Sequence, residues 1–229
     1  MAKDGALAFL KIRAVPHLFW SAPRPLTIRP PAISVLLLAV GLVLFGLGEA
    51  LLIASGVGVS PWTVLAQGIT NITGWSVGLA TFVISVTVLL AWIPLRQTPG
   101  IGTILNIIII AVVLDLALPW LPQFESLALR VAEAAAGVIV TGIGGGIYLI
   151  ANLGPGPRDG LMTGLQRLSG LPIAGVRSAI EIGAVALGWS LGGVVGIGTL
   201  LFAFGIGPCV AASMYALQQV FANKQSEPG

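Results

Sequence analysis

From Ala32 to Ser55 the chain carries a single charged residue, Glu49, and apolar runs of this kind recur almost to the C-terminus. A helix advances about 1.5 Å per residue, so about 20 apolar residues cross the roughly 30 Å hydrocarbon core of a bilayer. Several runs here reach that length. Of 229 residues, 56% are hydrophobic and 8% charged, against about 25% charged in a soluble domain. The chain is therefore read as an all-α integral membrane protein, folded as one bundle with no linker dividing it.

Six transmembrane helices are expected, over about Ala32–Ser55, Trp75–Leu95, Ile101–Leu121, Leu127–Leu153, Ile173–Leu191 and Ile197–Val220. Two glycine-rich breaks interrupt the pattern. In GVGVSPWTVLAQG, Ser60 suits an N-cap and Pro61 a first helical residue, so a short helix to about Thr73 follows. In GPGPRDGLMTGLQRLSG, Gly154 to Gly170, glycine and proline stop one helix. Asp159 is then the expected N-cap of a second short helix starting at Gly160 or Leu161. Helix starts carry unpaired N–H groups and a positive dipole end, which makes each break a candidate anion site.

Residues 1 to 30 hold Lys3, Lys11, Arg13, Arg24 and Arg29 among four prolines. Lys11 and Arg13 interrupt the only apolar run that could serve a signal peptide. This segment is read as a retained, basic cytoplasmic tail, partly disordered, with Phe19 and Trp20 at the membrane surface. The membrane domain then covers residues 31–221, and residues 222–229 form a cytoplasmic C-terminal tail. His17 is the only histidine and lies in the tail, which excludes a histidine metal cluster or a Ser–His–Asp site within the bundle. Cys209 is the only cysteine, so no internal disulfide forms. The net charge of +3 sits at helix ends and in the tail. It does not indicate nucleic-acid binding.

The chain also repeats itself. GIGTIL at Gly100–Leu105 recurs as GIGTLL at Gly196–Leu201, and Gly74 and Gly170 precede the two copies at equal distance. Upstream, Gly46, Gly48, Gly56 and Gly58 match Gly144, Gly146, Gly154 and Gly156, a step of 98 against 96 at GIGT, as if the second half had lost two residues. Repeat 1 covers about 32–121 and repeat 2 about 127–220. Three spans per repeat turn the second copy upside down, as in many secondary transporters, whose sites lie at the repeat interface. With both termini cytoplasmic, Arg96, Arg158, Arg167 and Lys224 fall inside and Arg130 outside, as the positive-inside rule expects. The first break then faces outward and the second inward. The helix glycines allow close packing, and the GIGT copies read as tight helix starts with threonine satisfying backbone groups.

An ionised group in the hydrocarbon costs at least about 2.5–3.5 kcal/mol on insertion scales, so such groups pair or line a polar path. Arg177 and Glu181, at i and i+4, can pair on one helix face, as can Arg130 and Glu133. Glu49 and Asp115, about two-thirds along their helices, have no local partner. Candidate solute-binding residues are Arg158, Asp159, Ser60, Asn106 and Arg177. Candidate coupling or proton-carrying residues are Glu49, Asp115 and Glu181.

These motifs, GVGVSPWTVLAQG, GIGTILN with Asp115, GPGPRDGLMTGL, and Arg177 with Glu181 before GIGTLLFAFGIGP, resemble the YczE-like membrane proteins of the YczE/YyaS/YitT grouping. The resemblance covers about Ala32 to Ala216. It implies a bacterial six-helix inner-membrane protein of poorly defined function and assigns no catalytic residue. The expected function is a small inverted-repeat transporter or channel-like protein for an anionic or zwitterionic solute. The alternative is a non-transporting accessory or regulatory partner of another membrane protein. Candidate partners besides the lipid bilayer are a homo-oligomer or such a protein. No enzymatic activity and no cofactor are expected.

Overall fold

The computed structural model describes residues 15–222, in which every regular element is helical. In chain order the helices are α1 (Ala32–Ser55), α2 (Pro61–Thr73), α3 (Val77–Leu90), α4 (Ile101–Ala117), α5 (Leu127–Ala151), α6 (Pro157–Ser169), α7 (Ile173–Ser190) and α8 (Ile197–Ala222). A 3₁₀ turn, Leu118–Trp120, extends α4. The order within α1–α4 is repeated by α5–α8: a long helix, a break, a 13-residue helix opened by proline and closed by left-handed glycine, and two further helices.

One step of 96 relates the halves throughout. Pro61 recurs as Pro157, Gly74 as Gly170 and Gly58 as Gly154; the last two hold φ of 117° and 112°. The upstream partners of Gly46 and Gly48 are therefore Gly142 and Gly144. The two-residue loss inferred from glycine spacing does not exist. With 31 glycines in the chain, a shifted match was available by chance.

Glycines set the central seam. A Cβ on Gly41 would lie 2.7 Å from the Tyr148 nitrogen and 2.9 Å from the Gly144 oxygen, and one on Gly137 would lie 2.7 Å from the Gly48 oxygen. Gly41 thus faces Gly144 while its equivalent Gly137 faces Gly48, so α1 and α5 run antiparallel with reciprocal contacts. α4 runs parallel to α1, where a Cβ on Gly46 would lie 2.9 Å from Val113; α8 lies likewise on α5, where one on Gly142 would collide with Cys209.

The GIGT segments do more than start helices. The Gly102 N–H donates to the Leu153 carbonyl at 2.7 Å, and the Gly198 N–H to the Val57 carbonyl at 2.9 Å. Each half's GIGT therefore grips the other half's break. Thr103 donates to the Pro155 carbonyl (2.7 Å) while accepting from the Gly100 N–H (3.1 Å). Thr199 accepts from the Gly196 N–H at 3.3 Å.

Among the described residues four helices are long and apolar enough to cross a membrane: α1, α4 with its extension, α5 and α8. The pair α2–α3, bent by 114°, would make a fifth. The expected six thus depend on α3, which at 14 residues spans only about 21 Å, and on α7, which carries Arg177 and Glu181.

Two expectations at the ends of the bundle change. Trp20 is 1% exposed, packed in a core cluster with Ala151 and Leu153, rather than at the membrane surface. The Ala22 N–H donates to the Ala151 carbonyl (3.0 Å) and Asn152 donates to the Ala22 carbonyl (2.8 Å), so residues 18–22 are strapped across the end of α5. Phe19 is 63% exposed and meets Phe221 edge-on. Lys3, Lys11, Arg13 and Lys224 lie outside the described residues. At the other end Arg130 does not pair with Glu133. It donates to the carbonyls of Ser55 (2.7 Å) and Gly56 (2.6 Å), satisfying the C-terminus of α1. Glu133 is buried, and neither carboxylate oxygen is bonded among the described residues.

Candidate functional site

The N-termini of α2 and α6 face one another across a cavity of about 290 Å³. Pro61 and Trp62 enter it from α2, and Gly156 to Asp159 from α6. α1 contributes Phe45, α4 Asn106 and Ile110, and α5 Gly145 and Tyr148. The wall also includes Arg177 and Glu181 of α7, and Phe202, Ile206, Gly207, Val210 and Met214 of α8. Both halves therefore build it.

Trp62 and Arg158 occupy equivalent positions, one step of 96 apart, and they meet. The Arg158 guanidinium carbon lies 5.2 Å from the Trp62 ring centroid, within the range of a cation–π contact. Arg158 is half-buried and makes no hydrogen bond among the described residues. Its planar fork of five donors is thus held over an aromatic face with its hydrogen-bonding capacity unspent.

Each half places one carboxylate at the start of its short helix, by different routes. In the first, Glu49 of α1 is 2% exposed and accepts from Ser60 and Thr63, both at 2.7 Å. Its other oxygen has no partner among the described residues. In the second, Asp159 occupies the position equivalent to Thr63 and accepts from the Tyr148 hydroxyl at 2.8 Å. Negative charge at a helix N-terminus is favoured by the dipole. Asp159 and Glu181 line the same cavity as Arg158.

Of the sequence candidates, Arg158, Asp159, Asn106, Arg177 and Glu181 line the cavity. Arg177 and Glu181 pair at 2.9 Å with side chains 53% and 26% exposed. Ser60 and Glu49 stand behind the start of α2, bonded to each other, and are not part of the lining. Asp159 is not the N-cap of α6. Proline at the first helical position starts the helix at Pro157, with Gly156 as N-cap and no side-chain cap. Asp115 is absent from the cavity. It accepts from Ser76 (2.6 Å) and the Gly78 N–H (2.8 Å), tying the end of α4 to the start of α3. Ser76, 39 residues upstream, is a partner that local sequence does not disclose.

Trp62, Thr63 and Tyr148 were missed by sequence reasoning. A step of 96 carried upstream would have aligned Trp62 with Arg158. Nothing in the sequence marks Tyr148.

The fold and cavity define a multi-span helical membrane protein whose halves share one element order and meet at a central, partly charged chamber. The chain belongs to the family of unknown function DUF6198, whose model matches residues 32–215. It is 43% identical over 200 residues to an uncharacterized protein of Haemophilus influenzae, covering 87% of this chain and 91% of that one. It is 31% identical over 169 residues to the uncharacterized membrane protein YczE of Bacillus subtilis, covering 71% and 77%. Against the uncharacterized protein YyaS of the same organism it is 30% identical over 169 residues, covering 71% and 83%. The resemblance to YczE and YyaS read from the motifs is thereby borne out. No solved structure matches the chain significantly.

Proposed function

We propose that this protein is a small, non-enzymatic transporter or channel-like carrier of an anionic or zwitterionic solute, built as two inverted three-span repeats. In this reading α1, α3, α4, α5, α7 and α8 cross the bacterial inner membrane, while α2 and α6 enter it halfway from opposite faces. Antiparallel packing of α1 on α5, the two equivalent helices, supports the inversion. Arg96 and Arg167 then fall on the cytoplasmic side with both termini.

The observation that carries the reading is Arg158: a guanidinium with no hydrogen bond among the described residues, held over Trp62 between two facing helix N-termini. Arginine holds a carboxylate through two parallel N–H bonds, and hydrogen bonds to charged groups contribute about 1.5–3 kcal/mol each. Arg158→Ala should therefore weaken binding of carboxylates by about 10-fold or more. Arg158→Lys should recover charge but not the bidentate geometry. Binding is measured on the purified chain in nanodiscs, and uptake in proteoliposomes. Equal carboxylate affinity in wild type and Arg158→Ala would overturn the assignment. Binding without movement across the bilayer would favour an accessory role.

A further inference from the structure

The two halves differ at one seam. In the first, α3 packs along α4, with Gly78 against the Ala111 carbonyl and Asp115. The equivalent pair in the second half is Ala174 and Gly207. Ala174 is exposed, and a Cβ on Gly207 would meet nothing within 4 Å. α7 makes no more than incidental contact with α8. Thr81 and Ser85, buried in the first seam, correspond to Arg177 and Glu181, which stand partly exposed at the lip of the second. Gly207 also lines the cavity. The chamber therefore opens sideways between α7 and α8, past a charged lip and along the apolar side chains Phe202, Ile206 and Val210.

Resting on the reading of Arg158 as an anion-binding group, we infer that the ligand is an amphipathic anion. Its carboxylate or phosphate head sits on Arg158 at the start of α6, and its hydrocarbon tail leaves between α7 and α8 into the bilayer. A water-soluble anion would gain nothing from an apolar wall open to lipid. A tailed one buries each methylene there, and each buried methylene strengthens binding about fourfold.

The test is equilibrium binding of radiolabelled saturated monocarboxylates from acetate to dodecanoate, on the full chain in nanodiscs, corrected with protein-free nanodiscs. Affinity should rise about fourfold per methylene until the tail outruns the seam. Gly207→Phe, placed in open space, should flatten that dependence, and Gly183→Phe, on α7 but outside the lining, should keep it. Competition by a short-chain phosphatidate against dodecanoate distinguishes a membrane lipid from a free acid as the source of the head group. Acetate binding as tightly as dodecanoate, or an unchanged slope in Gly207→Phe, would overturn the inference while leaving the anion site standing. Failure of every acid to bind wild type better than Arg158→Ala would remove both.

Discussion

Thr103 gives the sharpest test of how the halves hold one another. Its hydroxyl is fully buried, donates to the Pro155 carbonyl and accepts from the Gly100 N–H. Thr103→Val keeps the shape and leaves both backbone groups without a partner, so the loss is not a cavity effect. Each stranded buried polar group costs about 1–3 kcal/mol, giving about 2–6 kcal/mol in all. Its equivalent, Thr199, accepts one longer bond, from Gly196 at 3.3 Å. Thr199→Val should therefore cost no more than about half as much. At about 2–4 °C per kcal/mol for a chain of this size, Thr103→Val should melt roughly 4–24 °C below wild type. Cys209 is the only cysteine and lies half-buried between α5 and α8. A thiol-reactive dye that fluoresces on reaction thus reports unfolding directly in detergent. Thr103→Ser should recover most of the loss. A melt in which Thr199→Val falls as far as Thr103→Val, or in which serine rescues nothing, would refute the reasoning.

Three further outcomes are expected. Gly48→Ala should destabilise strongly, since its methyl would collide with Thr141 and the Gly137 carbonyl, whereas Gly183→Ala meets nothing and should gain up to about 1 kcal/mol from helix propensity; the same thiol melt compares them. Glu49→Gln retains an acceptor for Ser60 and Thr63, so it should melt at least 2 °C above Glu49→Leu, which leaves Ser60 its bond to Thr63 but strands the Thr63 proton. In a Cys209→Ser background, cysteine at Trp120 should label from outside cells and cysteine at Arg167 only after permeabilisation; the reverse pattern would overturn the proposed orientation.

What could be read from the sequence was what is local. The bounds of α1, Ala32–Ser55, follow from an apolar run ended by glycine, and Pro61 announces α2 because its ring suits a first helical turn. The same rule applied to Pro157 would have placed the start of α6 correctly; the more familiar N-cap signal of Asp159 obscured it. Distant contacts were not legible. Arg130 looks like a partner for Glu133 three residues on, yet it reaches 75 residues back to Ser55. Trp20 resembles an interfacial anchor until Ala151 and Leu153 are seen to enclose it. The Trp62–Arg158 contact becomes visible only when the two halves are set face to face.

The crossed grip between each GIGT start and the opposite break also bears on how the molecule comes into being. When α4 leaves the ribosome, Leu153 and Pro155 have not been synthesised, so the amide of Gly102 and the hydroxyl of Thr103 wait without acceptors. Val57 likewise waits for Gly198, close to the end of the chain. The first half thus lacks these contacts until the last helix is made. If the halves are inverted as proposed, a half-length ancestor could have made the same contacts only by meeting a sister copy inserted the other way up. Fusion of two such copies into one chain would have fixed their opposite orientations in a single act of translation.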